Sequence, residues 1–388
     1  MDCTRRRKGS DLAEQGPLEA SGKSYPLNGK IRWQETRSEN RSFFVRNHYS
    51  RDAPTAASTA KSRRVADFHD GGNRSTRTAA LPAEVRSSLE RHRGWRGMKI
   101  ILSRKGFDSS AGGVPSPIFP DGKMLSLPIP DESSTIAYRD IAGNGWASVG
   151  ELVNQLAHIP ATHGAHLDPD LSVGSIPRVE GWRPLFGQAG AAESHLENQG
   201  VGTGDVFLFF GLFQAVEKSA AGWQVIRGSR PMHVIFGWLQ IAERVAISDW
   251  PSDAVWALYH PHFRRESQSK NVLYVATERL SLPGIDSPIS IDGGGLSTCF
   301  SPRLRLTGHD FPGPSRWLLP GWFHPGTRGS VLSYHGDPSR WGVPKAGVTL
   351  RSVSKGQEFV LDCDKFPEAI KWSYELLLSM ALCGQVAG

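Results

Sequence analysis

Residues 98–117 read M-K-I-I-L-S-R-K-G-F-D-S-S-A-G-G-V-P-S-P. Met98 to Leu102 is a short apolar run with an Ile pair, which predicts a buried strand. The run breaks at Ser103-Arg104-Lys105-Gly106, followed by Asp108-Ser109-Ser110 and Gly112-Gly113. A strand that ends in cations, a carboxylate, hydroxyls and glycines sets polar groups on a rigid edge, a common way to build a site. Arg104 offers a planar fork and Lys105 a compact charge for a phosphate or carboxylate, with Ser109 and Ser110 as hydroxyl partners. Gly112 and Gly113, with Gly106, let backbone N–H groups cup an anion. Asp108 is the loop's candidate acid or base. The competing reading is a solvated hairpin, and G-x-x-x-x-G-K-[ST] is absent, so this is not a Walker A loop.

Upstream of this stretch the composition changes. Residues 1–97 carry 20 Lys+Arg against 11 Asp+Glu, whereas residues 98–388 carry 25 against 27. The basic pI therefore belongs to the first segment and gives no sign of a basic groove on the rest. With little apolar periodicity, residues 1–97 cannot bury enough surface to offset their ordering entropy, so a disordered basic tail is expected. Met98-Lys99-Ile100 resembles a natural first strand, so an over-called upstream start is the first reading of the tail; a basic arm and a transit peptide are the others. Residues 98–388 read as a single globular domain.

Downstream, short strands alternate with turns. Ser148-x-x-Glu151 is a capping box, and Val149, Leu152, Val153 and Leu156 fall on one helical face. Val206 to Phe213, His233 to Ile241, Asn271 to Ala276 and Glu358 to Asp362 read as strands, the first buried on both faces. Gly211 and Gly237 within them suggest bulges or close backbone approach, as barrel corners need. A helix over Ser252–Tyr259 and a C-terminal helix with Asp364 as N-cap complete the pattern. The expected fold class is α+β: a strand-dominated, barrel-like core with peripheral helices. The four cysteines show no C-x-x-C spacing and read as reduced thiols. No run approaches 18 apolar residues, so no membrane span is expected and the cytoplasm is the default location.

Residues 160–200 read as a long loop-rich insertion, which in a compact domain is usually functional or disordered. His163-x-x-His166-x-Asp168-x-Asp170 supplies imidazoles and carboxylates close enough for one loop to ligate a divalent metal. Against this, Asp168-Pro169-Asp170 is an ordinary turn sequence. His166 and Asp168 are also candidates for acid–base work. Gln188 suits a base edge, and His195 suits a proton shuttle. His260-Pro261-His262 reads as structural, as does His335. Trp146, Trp182, Trp238, Trp317, Trp322 and Trp341 offer stacking surfaces for bases but are mostly expected in the core.

Several of these pieces together resemble the nucleotide modification associated domain 3 family. They are M-K-I-I-L-S-R-K-G-F-D-S-S-A-G-G at 98–113, A-H-L-D-P-D at 165–170, F-G-Q at 186–188, S-H-L at 194–196, G-D-V-F-L-F-F-G at 204–211 and H-V-I-F-G-W-L-Q at 233–240. The resemblance spans 98 to about 380. It implies a place among systems that alter or process bases in bacterial and phage DNA, with DNA or a nucleotide as substrate and other proteins of such a system as partners. A weaker likeness, to barrels of the PUA, ASCH and EVE type, rests on Gly204-Asp205 and Ile235-Phe236-Gly237-Trp238-Leu239. Three functions follow: an enzyme acting on a base or nucleotide of DNA, a non-catalytic reader of modified bases, or a metal-dependent nuclease directed at modified DNA. The cofactor is left open, a divalent metal being the one candidate.

Overall fold

The continuous apolar run from Val206 becomes the central strand of the molecule. The computed structural model describes residues 97–383 apart from 144, 146, 266–267, 327, 345–346 and 354–357. Residues 1–96 of the expected tail and Trp146 lie outside the described residues. In chain order the main sheet uses β1 (Lys99–Arg104), β2 (Ser116–Ile118), β5 (Leu185–Gln188), β6 (Val206–Ser219), β7 (Gly222–Val225), β8 (Met232–Ala246), β9 (Val272–Ala276), β10 (Gly294–Leu296) and β14 (Glu358–Asp362). A two-stranded ribbon pairs β3 (Ile129–Pro130) with β4 (Ala165–His166), and a small sheet joins β11 (Arg316–Leu319), β12 (Trp341–Gly342) and β13 (Val348–Arg351). The helices among the described residues are α1 (Val149–Ala157), α2 (Gly190–Asn198) and α3 (Glu368–Cys383). The class is α+β and strand-dominated.

The main sheet runs β14-β1-β6-β8-β9-β5, with β1 parallel to β6 and antiparallel to β14. Phe186, Phe207, Phe209, Phe210 and Tyr274 are almost fully buried in its core. The rings of Phe186, Phe207, Phe209 and Tyr274 meet edge-on or offset at 5.0–6.0 Å, while Phe210 meets Trp317 edge-on at 5.2 Å, a packing that adds to simple area burial.

The sequence suggested a barrel-like core; the main sheet fits that loosely, without closing among the described residues, β14 and β5 being its two ends. The strand glycines serve close approach instead. A Cβ on Gly211 would stand 2.8 Å from the Lys105 carbonyl oxygen, and one on Gly237 would stand 2.7 Å from Leu171. The β6–β8 register shifts between Phe209 and Phe210, so that Phe236 has no partner across the ladder.

Other local expectations shift as well. The 160–200 insertion contributes β4, β5 and α2, so it is not a structureless span. Ser148 caps α1 as expected, its Oγ accepting from Glu151 N at 3.1 Å. The segment 252–259 forms only the 3-10 turn Val255–Ala257. The C-terminal helix begins at Glu368, after Pro367, so Asp364 is not its cap. Cys299 and Cys383, expected as free thiols, are paired, their Cα atoms 6.1 Å apart, which ties the chain beyond β10 to the end of α3. Among the described residues no helix is long and apolar enough to cross a membrane.

Candidate functional site

The β3–β4 ribbon sets Ile129 opposite His166, and Asp131 follows directly, its N–H donating to Gly164 O at 2.9 Å. That register brings the Asp131 carboxylate to His166, with Oδ2 2.7 Å from Nδ1. Beyond β4 the chain turns tightly, the Leu167 N–H donating to Ala165 O and the Asp168 N–H to His166 O, and this brings Asp168 back to the His166 ring. There Asp168 Oδ2 lies 3.7 Å from His166 Nε2. Its Oδ1 accepts the Gly187 N–H at 2.8 Å, which fastens the carboxylate to β5.

The third member comes from far along the chain. Pro261 opens the short 3-10 turn Pro261–Arg264, and the His262 it carries lies with its ring centre 5.7 Å from that of His166. His262 Nε2 is 3.7 Å from Asp168 Oδ2. Its Nδ1 lies 2.6 Å from Asn271 Oδ1, while Asn271 Nδ2 donates to His262 O and Arg265 O. Gly187 is required here, because a Cβ at that position would overlap the His262 ring.

Together His166, Asp168 and His262 put two imidazole nitrogens and a carboxylate oxygen within 4.8 Å of one another. Each candidate ligand is oriented through its other polar atom: His166 by Asp131, Asp168 by Gly187, His262 by Asn271. Such outer partners fix the tautomer and leave the inner lone pair for a metal. Two histidines and one carboxylate suit a divalent transition metal with coordination positions left open. His260 adds a further nitrogen. Its Nε2, fully buried and without a hydrogen bond among the described residues, stands 3.4 Å from Asp168 Oδ1.

Electrostatics act differently on the members of this donor set. Burial lowers His262 to about 4, so its ring is neutral near pH 7. The hydrogen bond from His166 holds the Asp131 carboxyl well below the usual range. Burial would raise Asp168, but the His166 and His260 rings outweigh it and keep the carboxyl far below its ordinary value. For His166 burial works downward, and the Asp131 and Asp168 carboxylates more than offset it.

His166, Asp168 and His262 line a cavity of about 270 Å³ that the loop after β1 also lines. Arg104, Lys105, Asp108 and Ser110 line it, with Gln188 and Arg265. The loop residues are partly committed to one another. Lys105 Nζ pairs with Glu358 at 2.9 Å, and Gln188 Nε2 donates to the same oxygen at 2.6 Å. Asp108 Oδ1 accepts from Ser110 N, Ser110 Oγ and Ala111 N. Burial would raise the Asp108 carboxyl, but these bonds and Arg104 hold it below its normal value. Gly112 packs so tightly under the Phe107 ring that a Cβ would overlap it. Ser109 is exposed, and neither it, Gly112 nor Gly113 lines the cavity.

The structure thus joins the two stretches that the sequence singled out, but it places other expected residues elsewhere. His163 Nδ1 contacts Gly164 O at 2.8 Å, and its ring lies 6.4 Å from that of Tyr138. Asp170 is held by both Arg178 amino groups at 2.6 and 2.7 Å and by the Tyr259 hydroxyl. These contacts draw both proposed ligands out of the donor set. His195 sits on α2, its Nε2 3.0 Å from Ser333 Oγ and its ring tilted by 33° against that of Tyr334, centres 4.3 Å apart. Sequence reasoning missed His262, Asp131, Asn271 and Arg265, and it took His260-Pro261-His262 as structural. The local signal was there: two histidines flanking a proline at the start of a tight turn.

No curated protein and no solved structure matches the chain. The model of nucleotide modification associated domain 3 matches residues 99–362, and the chain belongs to that family.

Proposed function

We propose that this protein is a metal-dependent enzyme acting on a base or nucleotide of DNA. It would work in the cytoplasm with other proteins of a bacterial or phage modification or defence system. The family ties the chain to nucleotide modification. One observation carries the enzymatic reading: a single cavity holds both the His166–Asp168–His262 donor set and the cationic loop from Arg104. A metal bound there would supply Lewis-acid chemistry at its open positions. Arg104 and Arg265 would hold an anionic phosphate beside it, with Asp131 and Asn271 keeping the two imidazoles aimed inward. The catalytic domain is residues 98–388, and the basic segment 1–97 would add non-specific attraction to DNA.

The non-catalytic reader drawn from the PUA likeness needs a closed barrel, and the main sheet is open among the described residues. The nuclease shares the metal site and differs in its product. The test is nucleoside mass spectrometry on DNA from cells making the full chain, beside an H166A/D168A control. A nucleoside mass that appears or vanishes only with the intact protein supports a modifying enzyme. Loss of DNA without a new nucleoside supports the nuclease. An unchanged profile from protein shown to carry its metal removes the enzymatic reading.

A further inference from the structure

A second cavity, also about 270 Å³, shares Asp168 and Gly106 with the first. The chain from 166 to 171 is the common wall: His166 and Asp168 line the polar cavity, while Leu167, Pro169 and Leu171 line the other. This second cavity is mainly apolar, with Met124, Leu171, Phe236 and Leu296 among its lining residues. Its shape follows from the bulge in β8. The register shift that leaves Phe236 unpaired re-aims that ring, as bulges do, and Gly237 lets Leu171 pack against the strand. At the rim Ser126 and Thr298 add hydroxyls that make no hydrogen bond in the structure among the described residues. Gly106 has φ +81°, and a Cβ there would stand 2.8 Å from Ser126 Oγ, so glycine is what lets the cationic loop approach this rim.

We propose that the apolar cavity receives the nucleobase, with the sugar and phosphate lying toward Arg104 and Arg265 in the polar cavity and the metal between them at Asp168. The proposal rests on the reading of the substrate as a nucleotide and assigns its parts. A planar heterocycle has apolar faces and polar edges, the two surface types that Phe236 and Leu171 on one hand and Ser126 and Thr298 on the other provide. Ligand pockets commonly span about 300–1,000 Å³, so each cavity accepts a single small unit and neither admits a duplex. The base must therefore arrive extruded from DNA or as a free nucleotide.

The test uses the full chain loaded with Mn²⁺ or Zn²⁺ and measures binding of the four deoxynucleoside monophosphates and of a single-stranded 12-mer by calorimetry. T298W and S172W place a ring in the apolar cavity, which Thr298, exposed, and Ser172, half-buried, both line outside the metal set. The expected result is at least tenfold weaker nucleotide binding in both, with metal affinity and unfolding midpoint unchanged. Tighter binding of the 12-mer than of any monophosphate, lost in the same variants, points to an extruded base; the reverse order points to a free nucleotide. Folded, metal-binding variants with unaltered nucleotide affinity overturn the base pocket and leave the substrate reading standing. A metal-loaded wild type that binds no monophosphate and no 12-mer overturns both.

Discussion

His262 donates its Nδ1–H to Asn271 Oδ1 across 2.6 Å, and the other end of the amide fixes the direction of that bond. Asn271 Nδ2 is occupied by the carbonyl oxygens of His262 and Arg265 at 2.9 and 3.1 Å, so the oxygen must face the ring. The proton therefore sits on Nδ1, and Nε2 keeps its lone pair toward Asp168. A structural histidine would not need its inner nitrogen kept open in this way.

Replacing Asn271 by Ala should accordingly weaken metal binding about 10–100-fold, the usual cost of losing an outer partner. D131N should do the same through His166. Calorimetric titration with Zn²⁺ or Mn²⁺ measures both. Wild-type affinity in both folded variants would rule out the assigned ligand set.

Gly187 gives a second test, from the backbone side. A methyl group there would overlap the His262 imidazole, while the Gly187 N–H still reaches Asp168. G187A should push His262 out of the donor set and abolish tight metal binding, at an overpacking cost of about 1–3 kcal/mol. Urea unfolding separates the two effects. If G187A keeps full metal affinity, His262 is not a ligand.

What the sequence disclosed follows the range of each physical signal. The strands β1, β6, β8, β9 and β14 were legible because burial on both faces forces continuous apolar runs such as Val206-Phe207-Leu208-Phe209-Phe210. His166 and Asp168 were singled out because His163-x-x-His166-x-Asp168-x-Asp170 gathers imidazoles and carboxylates in one short stretch, a local pattern that could not separate them from His163 and Asp170. The barrel-like reading was loose because Gly211 and Gly237 announce only that something approaches closely; what approaches is Lys105 and Leu171, from distant segments. β5 was hidden in the presumed insertion since Leu185-Phe186-Gly187-Gln188 is short and broken by glycine, and its partner β9 lies far away. His262 carried a local sign, the Pro261 turn, but what places it and Asp131 against His166 and Asp168 is tertiary folding, which no spacing within the chain encodes.

The Lys105–Glu358 pair predicts a stability effect that a phosphate-binding role alone would not produce. Glu358 is 1% exposed at its side chain, and its second oxygen has no partner among the described residues. K105A would leave that carboxylate buried with only Gln188 beside it, a loss of about 3–5 kcal/mol. K105M/E358Q removes both charges and should recover most of the loss. Equal unfolding free energies for wild type and K105A would show the pair to be dispensable.

Acid should destabilise the fold through two buried histidines away from the metal set. His335 donates Nδ1–H to Ser333 O at 2.8 Å and accepts the Val353 N–H on Nε2 at 3.2 Å, so only the neutral ring satisfies both. Burial lowers it to about 4. His233 accepts from Trp317 Nε1 at 2.9 Å and is lowered to about 3, first by burial and then by Arg104. Both folded values lie below the unfolded value of about 6.5. The unfolded chain therefore takes up these protons first: the stabilisation is complete above about pH 6.5 and is lost as the pH falls toward 4. For His335 that loss amounts to about 3 kcal/mol, at about 1.4 kcal/mol per unit. H335Q keeps a donor and an acceptor but cannot titrate. Its unfolding free energy in urea should fall less steeply than that of the wild type between pH 7 and 5, and parallel slopes would show that His335 does not carry the acid sensitivity.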